Sequence, residues 1–138
     1  MSDRSGDRGT GVFASAAGLL VFLLFLLLAA HVLIGLFATS VVRAALNDAA
    51  TRAAAGGPPG GEADLARLAD EAEASLGRMG ERTTVELAYV DDDGDDLPDV
   101  VEGRAVAVPP GLIPRTLGGA FGVGEVDVSV RIRVERFR

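Results

Sequence analysis

The chain is expected to fold as an α+β protein, with a long N-terminal transmembrane helix, a short amphipathic helix and a small antiparallel sheet of about three strands. Three observations carry that expectation. Hydrophobicity is segregated: the 34 residues between Arg8 and Arg43 bear no formal charge, and 25 of them are apolar, against 42 of the remaining 104. A helical period follows over Glu62 to Met79, and beyond Gly80 the period falls to two. With 138 residues divided this way, there is room for one small folded unit beside a hydrophobic anchor, which excludes a two-domain soluble enzyme.

Residues 1–10 read as a short polar tail and residues 11–42 as the transmembrane helix. The centre of that helix, Gly18 to Phe37, is GLLVFLLFLLLAAHVLIGLF. It is apolar on every side and offers no polar stripe to water. About 20 such residues cross a bilayer core, whereas the apolar region of a cleavable signal spans only ~7–15. An uncleaved span is therefore preferred, with a secreted domain released from a signal peptide as the weakest reading. Arg4 and Arg8 before the span balance Arg43 and Arg52 after it, so the positive-inside count is a tie. A short tail followed by a folded acidic domain is compatible with N-in, C-out topology in the plasma membrane. Gly11/Ser15 and Ala14/Gly18 place small residues four apart, a spacing that lets helices approach closely in lipid. His31, the only histidine, lies inside the span. It reads as a neutral imidazole bonded to a neighbouring helix or lying near an interface.

The helix is expected to outrun the membrane. Thr39 to Ala55 is alanine-rich and lacks glycine and proline, so residues 43–55 form a helical extension. GGPPGG, residues 56–61, then terminates it and serves as a linker. Residues 62–138 make the small extracytoplasmic domain. Its helix presents Leu65, Leu68, Ala72, Leu76 and Met79 on one narrow face, suited to covering one face of the sheet. The strands are expected at Thr83 to Val90, Arg104 to Val108 and Glu125 to Arg138. In the last of these, Val126, Val128, Val130, Ile132 and Val134 alternate with polar residues. Pro109 to Gly124, rich in proline and glycine, connects the second and third strands. From Gly56 onward only Tyr89, Phe121 and Phe137 are aromatic, so the core is expected to be thin and to need support from neighbours or membrane.

One cluster offers chemistry. DDDGDDLPDVVE, Asp91 to Glu102, holds seven carboxylates in 12 residues. Asp91, Asp93, Asp95, Asp99 and Glu102 follow the pattern D-x-D-G-D-x-x-x-D-x-x-E, in which oxygen ligands for calcium alternate around a glycine turn. The pattern resembles the loops of bacterial thrombospondin type 3 repeats, although Asp96 stands where those loops carry glycine. The competing reading is a hairpin loop kept soluble by its charge. No other cofactor is implied. Cysteine is absent, the lone histidine is in the apolar helix, and no nucleophile elbow or phosphate-binding glycine loop occurs, so no enzymatic activity is expected. Residues 56–138 carry 17 acidic residues and nine arginines, which argues against nucleic acid as a partner. No small-molecule substrate is evident.

The Asp7-Arg8-Gly9 start, the span VFLLFLLLAAHVLIGLFATS, the string LGRMGER and the terminal VRIRVERFR together resemble the TadE-like minor pilins of tight-adherence (Flp) pilus systems, actinobacterial type. The resemblance covers nearly the whole chain. It implies a pilin-like fold and a bitopic envelope protein with a structural or assembly role in a type IV/Flp pilus or related secretion system. Its implied partners are the lipid bilayer and other pilin-like or pilus-assembly membrane proteins. One feature departs from that pattern. Pilins usually carry glutamate at the fifth mature position, and here cutting after Gly9 or Gly11 places Ala14 or Ala16 there. A membrane-anchored module that binds calcium or another ligand through residues 91–102 is the alternative.

Overall fold

A computed structural model describes residues 8–56, 61–92, 94, 97–109 and 125–134. Helix α1 runs unbroken over Arg8–Gly56, 49 residues, or about 73 Å at 1.5 Å per residue. Two of its hydroxyls bond back onto the helix itself. Thr39 and Thr51 donate to the carbonyls of Gly35 and Asn47 one turn back, at 2.9 and 2.7 Å.

Helix α2, Gly61–Ser75, folds back along the last turns of α1. Leu65 and Leu68 share a cluster with Ala50, Ala53 and Ala54, while Ala69 and Ala72 share one with Val42, Leu46 and Ala49. Glu62 and Asp64 in its first turn suit the positive end of the helix dipole. The helix ends at Ser75 rather than at the expected Met79. Gly77, at φ 59°, takes the left-handed conformation that terminates helices. A 3₁₀ turn, Gly77–Arg82, follows and still delivers Leu76 and Met79 to the core. A side chain at Gly80 would collide with the backbone carbonyl of Glu73, so glycine is what lets this turn close on α2.

Three antiparallel strands, β1 (Thr83–Val90), β2 (Val100–Ala107) and β3 (Val126–Arg133), lie in the order β1-β2-β3. Thr83 stands opposite Ala107 and Val90 opposite Val100, while Val100 also faces Arg133 and Ala107 faces Val126. The first strand has the expected bounds, and β3 keeps its alternation. The second begins four residues earlier than expected, at Val100. Gly103 interrupts the β-prone pattern in the sequence, yet it sits mid-strand for a steric reason. A Cβ there would lie 3.0 Å from Leu46 Cδ1, 3.1 Å from Leu87 Cδ2 and 3.2 Å from Val130 Cγ2. The missing side chain makes room for Leu46 to enter from α1.

The layering is an α+β arrangement in which two helices cover one face of the sheet, while the other mixes charged residues such as Glu86, Glu102, Arg104 and Arg131 with Val90, Val100 and Val106. Most of the cover comes from α1. Ala38, Val42, Leu46, Ala49, Ala50, Ala53 and Ala54 are all buried, and Leu46, Val42 and Val101 are the largest fully buried side chains. The helical extension is thus the core of the domain rather than a stalk leading to it. Thinness of the core is made good by alanine, which lets helix and sheet backbones come close enough to exclude water without large side chains.

The two core clusters also give the domain a direction. Val42 and Leu46 lie with Val85, Ala107 and Val128, whereas Ala53 and Ala54 lie with Val101 and Val134. The Thr83/Ala107/Val126 end of the sheet is therefore next to the apolar half of α1, and the Val90/Val100/Arg133 end, with Asp91 and Asp99 beside it, is the far end.

Candidate functional site

The first functional surface is the apolar half of α1. From Leu19 to Leu27 every side chain is a large hydrophobic, and all of them are exposed, as are Val12, Phe13, Val32, Leu33, Leu36 and Phe37. A surface of this size is stable only against another apolar phase. Among the described residues, α1 is the one helix long and apolar enough to cross a membrane, over Gly11–Gly56, and it is compatible with a single-pass anchor. Gly11 and Gly18 have no neighbour within 4 Å of where a Cβ would stand, so their face of the helix is open within the chain.

His31 departs from this pattern. It is 5% exposed, and neither ring nitrogen has a hydrogen-bond partner among the described residues. It lies on the same helical stripe as Ala38, Val42 and Leu46, continuing the buried face into the apolar half.

The acidic cluster is only partly described. Asp93 and Asp95 lie outside the described residues; Asp91, Asp99 and Glu102 do not share one role. The Asp91 carboxylate accepts the Gly94 N–H at 2.7 Å, and Gly94 has φ 78°. This is a turn closed by its own aspartate. Asp99 works through its backbone, donating its N–H to the Val90 carbonyl at 3.0 Å and accepting the Val134 N–H at 2.7 Å. Glu102 belongs to β2 and faces Arg131 of β3 at 3.9 Å, and Arg131 also reaches Asp92 at 3.5 Å. The string has no arginine of its own, but the sheet brings it one. No group of three or more metal-ligating side chains occurs among the described residues.

The other charged contacts are ion pairs at the surface. Arg52 joins α1 to α2 through Glu71 at 3.0 Å, and Arg67 holds the same carboxylate at 2.6 Å. The Arg67 hydrogen bond, with Arg52 assisting, keeps Glu71 below its ordinary value of 4.5. Arg104 grips both oxygens of Asp127 at 2.6 and 3.1 Å and holds that carboxylate low in the same way. These are stabilised carboxylates, the opposite of what a general acid needs. Tyr89 is half-buried and donates its hydroxyl to the Ala53 carbonyl at 3.1 Å. That carbonyl is in the last turn of α1, where helical partners run out. Burial, aided by the charge of Asp64, raises the phenol above its ordinary value of 10.0.

One feature was not legible beforehand. Ile34, Phe37 and Ala38 of α1 meet Leu76, Met79 and Val108 around a cleft of about 470 Å³, with Arg78, Glu81 and Arg82 also lining it. Its sequence signal is the string LGRMGER, whose Gly77 and Gly80 shape the 3₁₀ turn that carries Arg78 and Arg82.

The chain matches no family model, no curated protein and no solved structure.

Proposed function

We propose that this protein is a non-enzymatic, bitopic membrane protein of the cell envelope, with a structural or assembly role in a type IV/Flp pilus or a related secretion system. The observation that carries the reading is the continuity of α1. One helix exposes large apolar side chains in its first part and, without a break, becomes the central element of a small α+β domain in its second. That is the layout of a pilin-like subunit, in which a membrane helix and a sheet-bearing domain share one rod. The sequence resemblance to TadE-like minor pilins supports the same reading. In this proposal the N-terminus is cytoplasmic and the domain lies outside the plasma membrane, which keeps its net charge of −8 in water. The partners are other pilin-like or assembly membrane proteins. The open Gly11/Gly18 face of α1 supplies a surface for helix packing in the bilayer.

Affinity purification of the full chain from solubilised membranes tests the role: pilin-like subunits or the assembly platform are expected to copurify, and their absence would remove the assembly reading. Mass spectrometry of the mature N-terminus tests the anchor. A start at Met1 or Ser2 is expected for an uncleaved anchor, Thr10 or Val12 would mean pilin-type processing, and a start beyond Ala38 would mean release.

A further inference from the structure

We propose that the cleft beside the apolar half of α1 seats an anionic phospholipid, with its phosphate on Arg78 and Arg82 and its acyl chains against Ile34 and Phe37. The inference rests on the reading of α1 as a membrane anchor and adds to it a lipid class and a binding site.

Position supports it first. Phe37 is the last of the exposed large apolar side chains of α1, and Ala38, the next residue, is the first buried alanine of the core. Counting back about 20 residues from Phe37, the length that crosses a bilayer core, reaches Gly18. A span of that length ending at Phe37 puts the boundary between hydrocarbon and headgroups at the turn where the cleft opens. Leu76 and Met79, packed on the core, hold the 3₁₀ turn at this level and set its arginines beside the headgroups.

Charge supports it second. Arg52, Arg67, Arg104 and Arg131 each have a carboxylate of the chain within 4.0 Å. Arg78 and Arg82 make no such ion pair with a described residue, and both are exposed. Glu81 lies between them, so the cleft carries two cations against one anion. A guanidinium matches a phosphate with two parallel N–H donors, and Arg78 and Arg82 both line the cleft, four residues apart in the 3₁₀ turn. Asp91, Asp92 and Asp99, which would repel an anionic lipid, flank the opposite end of the sheet, where Val90 pairs with Val100.

The chain contains no tryptophan, so a Phe37→Trp variant carries a single emitter at the cleft. The full chain is reconstituted into phosphatidylcholine vesicles, and quenching by brominated phosphatidylglycerol is compared with quenching by brominated phosphatidylcholine. Phosphatidylglycerol is expected to be preferred by about tenfold, and added salt to weaken the preference. Arg78→Gln with Arg82→Gln should abolish it, while Arg133→Gln, at the far end of the sheet, should not. Equal quenching by the two lipids, which is also the result expected if the chain's own residues fill the cleft, would overturn the proposal. So would a preference that survives loss of both arginines or ignores salt in the chain with both arginines intact. Failure of the protein to float with the vesicles would instead overturn the anchor, and the cleft with it.

Discussion

The two halves of α1 are one helix built for two surroundings. From Val12 to Phe37 most of the large side chains are exposed, with His31 buried and Ile34 and Phe37 lining the cleft, whereas from Ala38 to Ala54 a stripe of alanine with one valine and one leucine is sealed against the domain. The first half is apolar all round, whereas the second carries Arg43, Asp48 and Arg52 and is apolar only along its buried stripe. Residue size separates them further: bulky side chains suit fluid lipid, while small ones let a sheet lie close against the helix.

The sharpest way to break this comparison is to shorten a leucine in each half. Leu46→Ala, at a fully buried position, is expected to cost about 2–5 kcal/mol. Leu23→Ala, at a position 52% exposed, should leave the unfolding of the sheet in detergent unchanged, as followed by thermal circular dichroism. Equal losses would mean that the halves are not distinct.

Gly103→Ala probes the contact from the other side. Crowding against Leu46, Leu87 and Val130 should cost about 1–3 kcal/mol. Combining it with Leu46→Ala should cost less than the sum of the two single changes, because the alanine at 46 vacates the space that the new methyl needs. Strict additivity in a double-mutant cycle would show that the two sites do not touch.

Tyr89→Phe removes the hydroxyl that serves the Ala53 carbonyl and should cost about 0.5–1.5 kcal/mol in the same denaturation assay. A null result would show that water replaces the phenol at the end of α1.

The smallest effect belongs to pH. Glu71 is held below 4.5 in the folded chain, so its pairing adds stability above that value, and this is lost as pH falls through the lowered one. Glu71→Gln should therefore lower the melting temperature slightly near neutral pH and not at all once the carboxyl is protonated. Because the group is exposed, salt should shrink the difference. A difference that persists in strong acid would place the loss in packing rather than charge.

Much of this organisation was legible in the chain. The apolar helix, the amphipathic helix and the bounds of β1 follow from periodicity, and β3 from strict alternation at Val126 to Val134. The start of β2 did not, because Gly103 reads as a break until Leu46 is seen occupying its space from 57 positions away. The role of residues 38–54 was hidden for a related reason. Alanine favours helix whether or not anything packs on it, so the sequence announces a helix and is silent about its neighbour. Of the calcium-ligand pattern, Asp91, Asp99 and Glu102 are seen closing the hairpin and facing Arg131, roles that depend on strand register. Arg78 and Arg82 stand in the string LGRMGER, but nothing local marks them as neighbours of Phe37.

The unbroken run of α1 has a mechanical consequence. With no hinge between the apolar half and the core, the domain must turn wherever the span turns. From Phe37 to Ala53 the helix rises about 24 Å, so a typical span tilt of ~20° swings the acidic end sideways by about 8 Å. The thickness of the surrounding membrane then becomes an input that the protein reads out as the angle of its head.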